Sequence, residues 1–200
     1  MMIAPFDHAQ VPQIARLHCA SLNGLLTKLG PSAVYAYYAG AVDSNLSSGF
    51  VATDGQNLTG FVFGSATPGA LKRDILRRQP LAMPATIGLG IVRHPTALWW
   101  ILRSFRGPDE GTYDAASAEL TYLAVDPAQR NVGIGRQLVG AFTSALRDKG
   151  VQSYALSVDE VNHAAIAFYE RLGFTRLGRY REFGQCYLRY QLKIIPPKAQ

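Results

Sequence analysis

Cysteine and charged residues are both scarce in this sequence of 200 residues. The two cysteines, Cys19 and Cys186, have no metal-site spacing, so the sequence offers neither a disulfide framework nor a cysteine-bound metal. Charged residues make up 17% of the chain and apolar residues 48%, which excludes a disordered chain. We therefore expect a single packed domain over residues 1–195 and a frayed tail at 196–200, with free thiols and no metal.

The N-terminus lacks the basic head and apolar core of a secretory signal peptide. Together with the free thiols, this indicates a cytoplasmic protein. The net charge is +6, but the basic residues are interleaved with apolar ones and form no nucleic-acid recognition motif. We therefore expect no nucleic-acid partner, and the charge instead suits a small anionic ligand.

A membrane span is not expected either. Residues 81–102 are almost uncharged and approach the ~20 residues that a span needs. Pro84 and Pro95 would break such a helix, and Arg93 would be costly in the middle of a membrane. The pattern predicts two short helices instead, at 81–92 and 97–102, within a helical insertion over residues 69–112.

The basic and tryptophan-containing part of this insertion, residues 69–106, leaves four roles open. Its lysine and arginine side chains and Trp99-Trp100 suit a homodimer contact, association with a membrane surface, a lid over a substrate pocket, or simple packing on the domain. The acidic run that follows is either a solvated loop or an attraction for a cationic substrate. That run consists of Asp109, Glu110, Asp114 and Glu119.

The common phosphate-binding signatures are missing as well, since the glycine spacing matches neither a Walker loop nor Gly-x-Gly-x-x-Gly. Residues 118–150 nevertheless predict a strand, a glycine loop and a helix. The apolar run at 118–125 ends before Pro127, Gly133 and Gly135 follow, and apolar residues then recur at helical spacing. Such a loop brings backbone N–H groups and the positive end of a helix dipole to an anion such as phosphate.

A second motif follows one strand later. After a strand predicted at 151–158, Asn162 begins a helix with an apolar face. Gly173 suits a left-handed position after that helix, and Phe174 is placed to pack back on it.

Together the two motifs resemble the acyl-CoA-binding core of the GNAT superfamily of N-acetyltransferases. The family pattern Q/R-x-x-G-x-G/A is matched by Arg130, Gly133 and Gly135. The specific part of the resemblance covers residues 118–182. The later family pattern NxxAxxFYxxxGF is matched by Asn162, Ala165, Phe168, Tyr169, Gly173 and Phe174.

The resemblance implies an α/β fold of the α+β type, with three αβα layers. Its central sheet is mixed but mostly antiparallel, and it is splayed between the fourth and fifth strands, with acetyl-CoA in the gap. The helical insertion then falls between strands 3 and 4.

The resemblance also implies the residues that bind the CoA group. Backbone N–H groups of the glycine loop would hold the pyrophosphate, and main chain at Leu123 and Val125 would pair with the acetyl and pantetheine groups. Asn162 would hydrogen-bond the pantetheine arm. The cofactor-binding residues expected on this basis are Leu123, Ala124, Val125, Arg130, Asn131, Val132, Gly133, Ile134, Gly135, Arg136, Asn162, Ala165, Phe168 and Tyr169.

Acyl transfer to an amine needs a base for the ammonium and a proton donor for the leaving thiolate. Tyr169, which in the family reaches the thioester sulfur, is the candidate acid. Glu119, at the start of the central strand, is the candidate base. Residues 119–125 resemble the same strand in family members that have a catalytic glutamate at its start. Other relatives carry a carboxylate where this chain has Ser157, so Asp159 and a water chain stay open as alternatives.

The resulting prediction is an acetyl-CoA-dependent N-acetyltransferase of a small amine such as an amino sugar or a polyamine. A protein N-terminus or lysine as acceptor, and a non-catalytic CoA-binding regulatory or membrane-associated module, are the alternatives. Three tyrosines on a helix predicted at 33–42 either pack in the core or line the acceptor pocket; they are Tyr35, Tyr37 and Tyr38.

Overall fold

A computed structural model describes residues 1–93, 110–111, 118–182 and 184–194 of the chain. The second short helix predicted at 97–102, the Trp99-Trp100 pair, Asp109 and Asp114 of the acidic run, and the tail at 196–200 lie outside these residues.

Seven helices and eight strands are found in the described part of the chain, with a 3-10 turn at Pro127–Gln129. The helices are α1 (Val11–Ser21), α2 (Leu25–Lys28), α3 (Pro31–Val42), α4 (Pro68–Arg78), α5 (Ala82–Arg93), α6 (Ile134–Asp148) and α7 (His163–Arg171). The strands are β1 (Met2–Pro5), β2 (Ser47–Asp54), β3 (Asn57–Ser65), β4 (Glu110–Gly111), β5 (Ala118–Val125), β6 (Ser153–Asp159), β7 (Thr175–Glu182) and β8 (Gln185–Lys193).

The strands form one sheet in the order β1-β2-β3-β5-β6-β8-β7-β4. Within it β5 and β6 run parallel, and the other neighbouring strands are antiparallel. This confirms the predicted α/β fold with a mixed, mostly antiparallel sheet. The insertion between β3 and β5 is helical, as predicted, and it contains α4 as well as α5, which matches the short helix predicted at 81–92. It also contains β4, a two-residue strand that the sequence did not indicate. Because β4 adds one strand to the count, the strands predicted as the fourth and the fifth are numbered β5 and β6 here.

Apolar residues on the two faces of the sheet form two cores. Residues of α1, α3 and α4 pack on one face around Phe61 and Phe63, and residues of α6 and α7 pack on the other around Phe142 and Leu156. The three layers follow from the alternation of side chains along each strand, which gives every central strand two apolar faces to cover.

The tyrosines of α3 take different positions. Tyr38 is fully buried and its ring contacts Phe61 and Phe63 edge-on, whereas Tyr35 is about half exposed. Packing is therefore the role of Tyr38, while Tyr37 lies close to the β5 residues described below.

No helix in the described ranges is both long enough and apolar enough to cross a membrane.

Two glycines, one just before α6 and one inside it, both have open space around them but differ in backbone conformation. Gly133 precedes the first residue of α6 with a φ of +90°, and Gly140 lies inside the helix; a Cβ at either position would meet nothing within 4 Å. We expect Gly133→Ala to lower the free energy of unfolding by about 1–2 kcal/mol, because L residues disfavour this conformation. Gly140→Ala should raise it by about 0.5–1 kcal/mol. Urea unfolding of both variants checks this, and changes of the same sign would contradict it.

His18 of α1 is fully buried, and its Nδ1 lies 2.8 Å from the Tyr38 hydroxyl. Burial lowers the pKa of His18 to about 4, from an ordinary value of 6.5. As the pH falls from about 6.5 to 4, the unfolded chain takes up a proton that the folded chain does not, so stability falls. We expect His18→Gln to remove about 2–3 kcal/mol of the loss measured by urea unfolding between pH 7 and 4.5. An identical loss in both proteins would contradict this.

Candidate functional site

The central feature of the site is a gap between β5 and β6. The two strands pair at Ala118↔Tyr154 and Glu119↔Ala155, and these are the only pairs between them, although every residue of both strands is described. Beyond Glu119, β5 continues to Val125 while β6 turns away. The sheet is therefore splayed where the sequence predicts it.

Peptide groups at the end of β5 line this gap. The Asp126 N–H donates to the Thr59 carbonyl on β3 at 2.9 Å, so Ala124, two residues earlier, also directs its peptide groups toward β3. By the same alternation, Leu123 and Val125 direct theirs toward the gap, and the Val125 carbonyl accepts from Arg130 Nε at 3.2 Å. The two residues predicted to make main-chain contacts with the donor thus face the gap.

The loop between β5 and α6 ends in two left-handed residues. Asn131 has a φ of +66° and Gly133 a φ of +90°, and α6 begins immediately afterwards with no side chain capping its N-terminus. The first-turn N–H groups of Ile134, Gly135 and Arg136 are therefore left for a ligand. With the helix dipole they form an anion-binding arrangement next to the gap.

The second glycine of the motif, Gly135, is required by the packing of α6 against α7. A Cβ on Gly135 would come within 3.1 Å of the Phe168 ring, so the glycine allows the start of α6 to approach α7 closely. Ala165 and Phe168 are half-buried beside this contact. Asn162 caps α7, since its Oδ1 accepts from the Ala165 N–H at 3.1 Å, and its amide NH2 group makes no hydrogen bond to a described residue.

Tyr169 lies on the buried face of α7. Its ring packs between Phe168 and Phe174, with centroid distances of 5.2 and 5.5 Å, and 8% of the residue is exposed. Burial, with a smaller contribution from Tyr154, raises the pKa of Tyr169 well above its ordinary range. The hydroxyl therefore keeps its proton at neutral pH, and it makes no hydrogen bond within the described part of the chain.

Glu119 lies at the point where the strands separate, and it is part of a buried polar cluster. Arg189 of β8 is 2% exposed, and its Nη1 donates to Glu119 Oε1 at 3.0 Å and to Ser157 Oγ at 2.9 Å. Sequence reasoning missed Arg189. The available signal was a lone arginine in the otherwise mostly apolar strand at 186–194.

A bulge in β5 sets which residues accompany Glu119. The register shifts between Phe63↔Tyr122 and Gly64↔Leu120, so Thr121 has no partner on β3. Glu119 and Tyr122, three residues apart, therefore lie on the same face of the sheet. Burial and the Glu119 charge raise the pKa of Tyr122 well above its ordinary range, and Tyr37 lies against Tyr122.

The described residues contain no group of three or more histidine, cysteine, aspartate or glutamate side chains that could hold a metal ion.

Curated relatives resemble only part of this chain. A mycothiol acetyltransferase from Thermobispora bispora is 44% identical over 63 residues, which are 32% of this chain and 21% of that protein. The mycothiol acetyltransferase of Streptosporangium roseum is 50% identical over 58 residues, 29% of this chain and 17% of that protein. The chain thus spans about a fifth of the length of these relatives.

Solved structures match nearly the whole chain, at low identity. An aminoglycoside 6'-acetyltransferase type Ii superposes with a TM-score of 0.63 and 17% identity, covering 98% of this chain and 99% of that one. The structure of yncA from Salmonella typhimurium, solved with its cofactor acetyl-CoA, gives a TM-score of 0.61 and 17% identity over 100% and 97% of the two chains. These likenesses show that the fold is shared.

The model of the "Acetyltransferase (GNAT) family" matches residues 28–174, which are well over half of the chain and include both motifs of the site. The chain therefore belongs to the GNAT family of acetyltransferases, enzymes that use acetyl-CoA.

Proposed function

We propose that this enzyme transfers an acetyl group from acetyl-CoA to the primary amine of a small-molecule acceptor, such as an amino sugar or a polyamine. Both substrates bind together and the amine attacks directly. The observation that carries the proposal is the gap between β5 and β6, which Leu123 and Val125 line with peptide groups and which leads to the uncapped start of α6.

The residues present fit a CoA group in this gap. Gly133 leaves the loop surface open, since a Cβ there would meet no atom within 4 Å. We propose that Asn162 donates from its amide to the pantetheine arm, and that Ala165 and Phe168 form a wall beside it. The N–H groups proposed for the pyrophosphate belong to Arg130, Asn131, Val132, Gly133, Ile134, Gly135 and Arg136.

The bound thioester would supply the acetyl group, and the protein must manage two protons. An alkylamine with a pKa near 10.4 is neutral in only about one molecule in 10³ at pH 7, so a carboxylate near the acceptor is needed. Glu119 is proposed as an acceptor-side catalytic residue, held in place by Arg189. An ammonium beside it would be attracted by the carboxylates on this face of the sheet.

Tyr169 is proposed to serve the leaving group. A thiolate with a pKa around 8.5, by analogy with cysteine, gains from a hydrogen bond as its charge develops. The Tyr169 hydroxyl is protonated and is not engaged with a described residue. It can therefore donate to the sulfur without first breaking another hydrogen bond.

A small acceptor is supported by the names of the relatives. The curated ones are mycothiol acetyltransferases. In addition, this chain has Ser157 at a position where other family members carry a carboxylate. The Ser157 hydroxyl accepts a hydrogen bond from Arg189. That departure disfavours a ribosomal-type protein N-terminal acetyltransferase.

The test is free-thiol release from acetyl-CoA across a panel of amino sugars, polyamines, lysine and N-terminal peptides. We expect turnover with a small amine. Tyr169→Phe should lower kcat by about 10²-fold or more, because general acid catalysis contributes at least that factor. Tyr190→Phe is the matched control. Tyr190 is also a buried residue, but its hydroxyl donates to Glu170 at 2.8 Å, so the variant should lose about 1 kcal/mol of stability and little turnover.

Acetyl-CoA should raise the melting temperature of both variants, which separates loss of binding from loss of turnover. Turnover with peptides alone would contradict the small-molecule acceptor. Equal kcat values for wild type and Tyr169→Phe would contradict the role of Tyr169.

A further inference from the structure

Glu182 is a half-buried carboxylate at the end of β7, and the mechanism above does not use it. Glu119, Glu160 and Glu170 accept hydrogen bonds from Arg189, Arg179 and Tyr190 respectively. Glu182 accepts none from any described residue and has no ion pair within 4.0 Å among them. A half-buried carboxylate without such a partner retains unmet affinity for a cation or a proton.

The register of the sheet places Glu182 on the same face of the sheet as Glu119. It pairs with Gln185 across the β7–β8 hairpin, and side chains of paired residues share a face. Gln185, Tyr187 and Arg189 alternate along β8 on that same face, and Arg189 binds Glu119 directly. Glu182 therefore lies on the face of the sheet that carries Glu119, toward the end of the sheet at which β5 and β6 have separated.

Among the described residues, the charged and titratable groups around Glu182 come from three elements. Burial raises the pKa of Glu182, Lys72 of α4 lowers it, and the Glu119 charge makes a smaller upward contribution, so that the net shift is upward. Tyr187 of β8 also lies close, since the Glu182 charge contributes to the raised pKa of that phenol. Lys72 is exposed, so water weakens its influence.

Glu119 is poorly suited to take a proton itself. Its Oε1 is engaged by an arginine that is 2% exposed, and a proton on Glu119 would weaken its ion pair with that buried guanidinium. Two carboxylates in one site, one ion-paired and one not, divide naturally into a positioning group and a proton acceptor.

We propose that Glu182 is the carboxylate that takes the proton from the acceptor ammonium, an assignment that rests on the proposed function. One N–H proton passes to Glu182 and its electron pair stays on nitrogen. The freed pair then forms the C–N bond as the thioester C–S bond breaks and its electron pair stays on sulfur. The new amide nitrogen loses a second N–H proton, which balances the proton that the CoA thiolate takes up, and Glu182 returns the first proton to solvent. The Glu119–Arg189 pair holds the face in place and orients the acceptor.

The test compares Glu182→Gln with wild type in kcat/KM for the best amine across pH. We expect a deficit of about 10²-fold or more at pH 7. The deficit should shrink about tenfold per pH unit toward the pKa of the amine, because the variant depends on amine that arrives neutral. Glu160→Gln is the control, since Glu160 pairs with Arg179 on the protein surface, and it should keep the wild-type profile.

A second readout needs no turnover. In the free protein with carbon-13-labelled glutamate, the Glu182 carboxyl should titrate above the ordinary range of glutamate, and Glu119→Gln should lower that midpoint. A Glu182→Gln variant within threefold of wild type at pH 7 in an active enzyme would overturn the assignment and leave the proposed function standing. Absence of turnover by wild type with every amine would overturn both.

Discussion

The separation of β5 from β6 is the constraint on which the rest of the site depends. Two parallel strands that pair at Ala118 and Glu119 and then diverge leave peptide groups without a strand partner. Unpaired backbone groups inside a sheet are costly unless something else satisfies them. For the peptide groups of Leu123 and the N–H of Val125, the natural candidate is a ligand that takes the place of a strand. The ion pair of Glu119 with Arg189 spans the strands at the end where they still touch.

The two helices that follow these strands border the opening of the gap. Gly135 at the start of α6 lies against the Phe168 ring of α7, and a side chain at that position would force the helices apart. The same contact places the first-turn N–H groups of α6 and the Tyr169 hydroxyl on neighbouring elements. Packing in the core and the geometry of donor binding are thus set by the same few residues.

What the sequence could predict depended on local signals. Gly173 and the helix start at Asn162 act within a few residues of chain, and the structure confirms the left-handed Gly173 and the start of α7. The motif pair also predicted the family and the splayed sheet. The sequence did not predict the positions of Arg189 and Glu182. These positions depend on the strand register across β5, β6, β8 and β7, which spacing along the chain does not encode. The bulge at Thr121 is likewise a property of the β3–β5 pairing.

Backbone amide exchange, followed by NMR with and without acetyl-CoA, tests the central claim most directly, namely that the donor occupies the gap. The account predicts that acetyl-CoA slows exchange of the Leu123 and Val125 amides and of the first-turn amides of α6, while Ala124, which faces β3, changes little. Unchanged exchange at Leu123 and Val125 with saturating acetyl-CoA would contradict it.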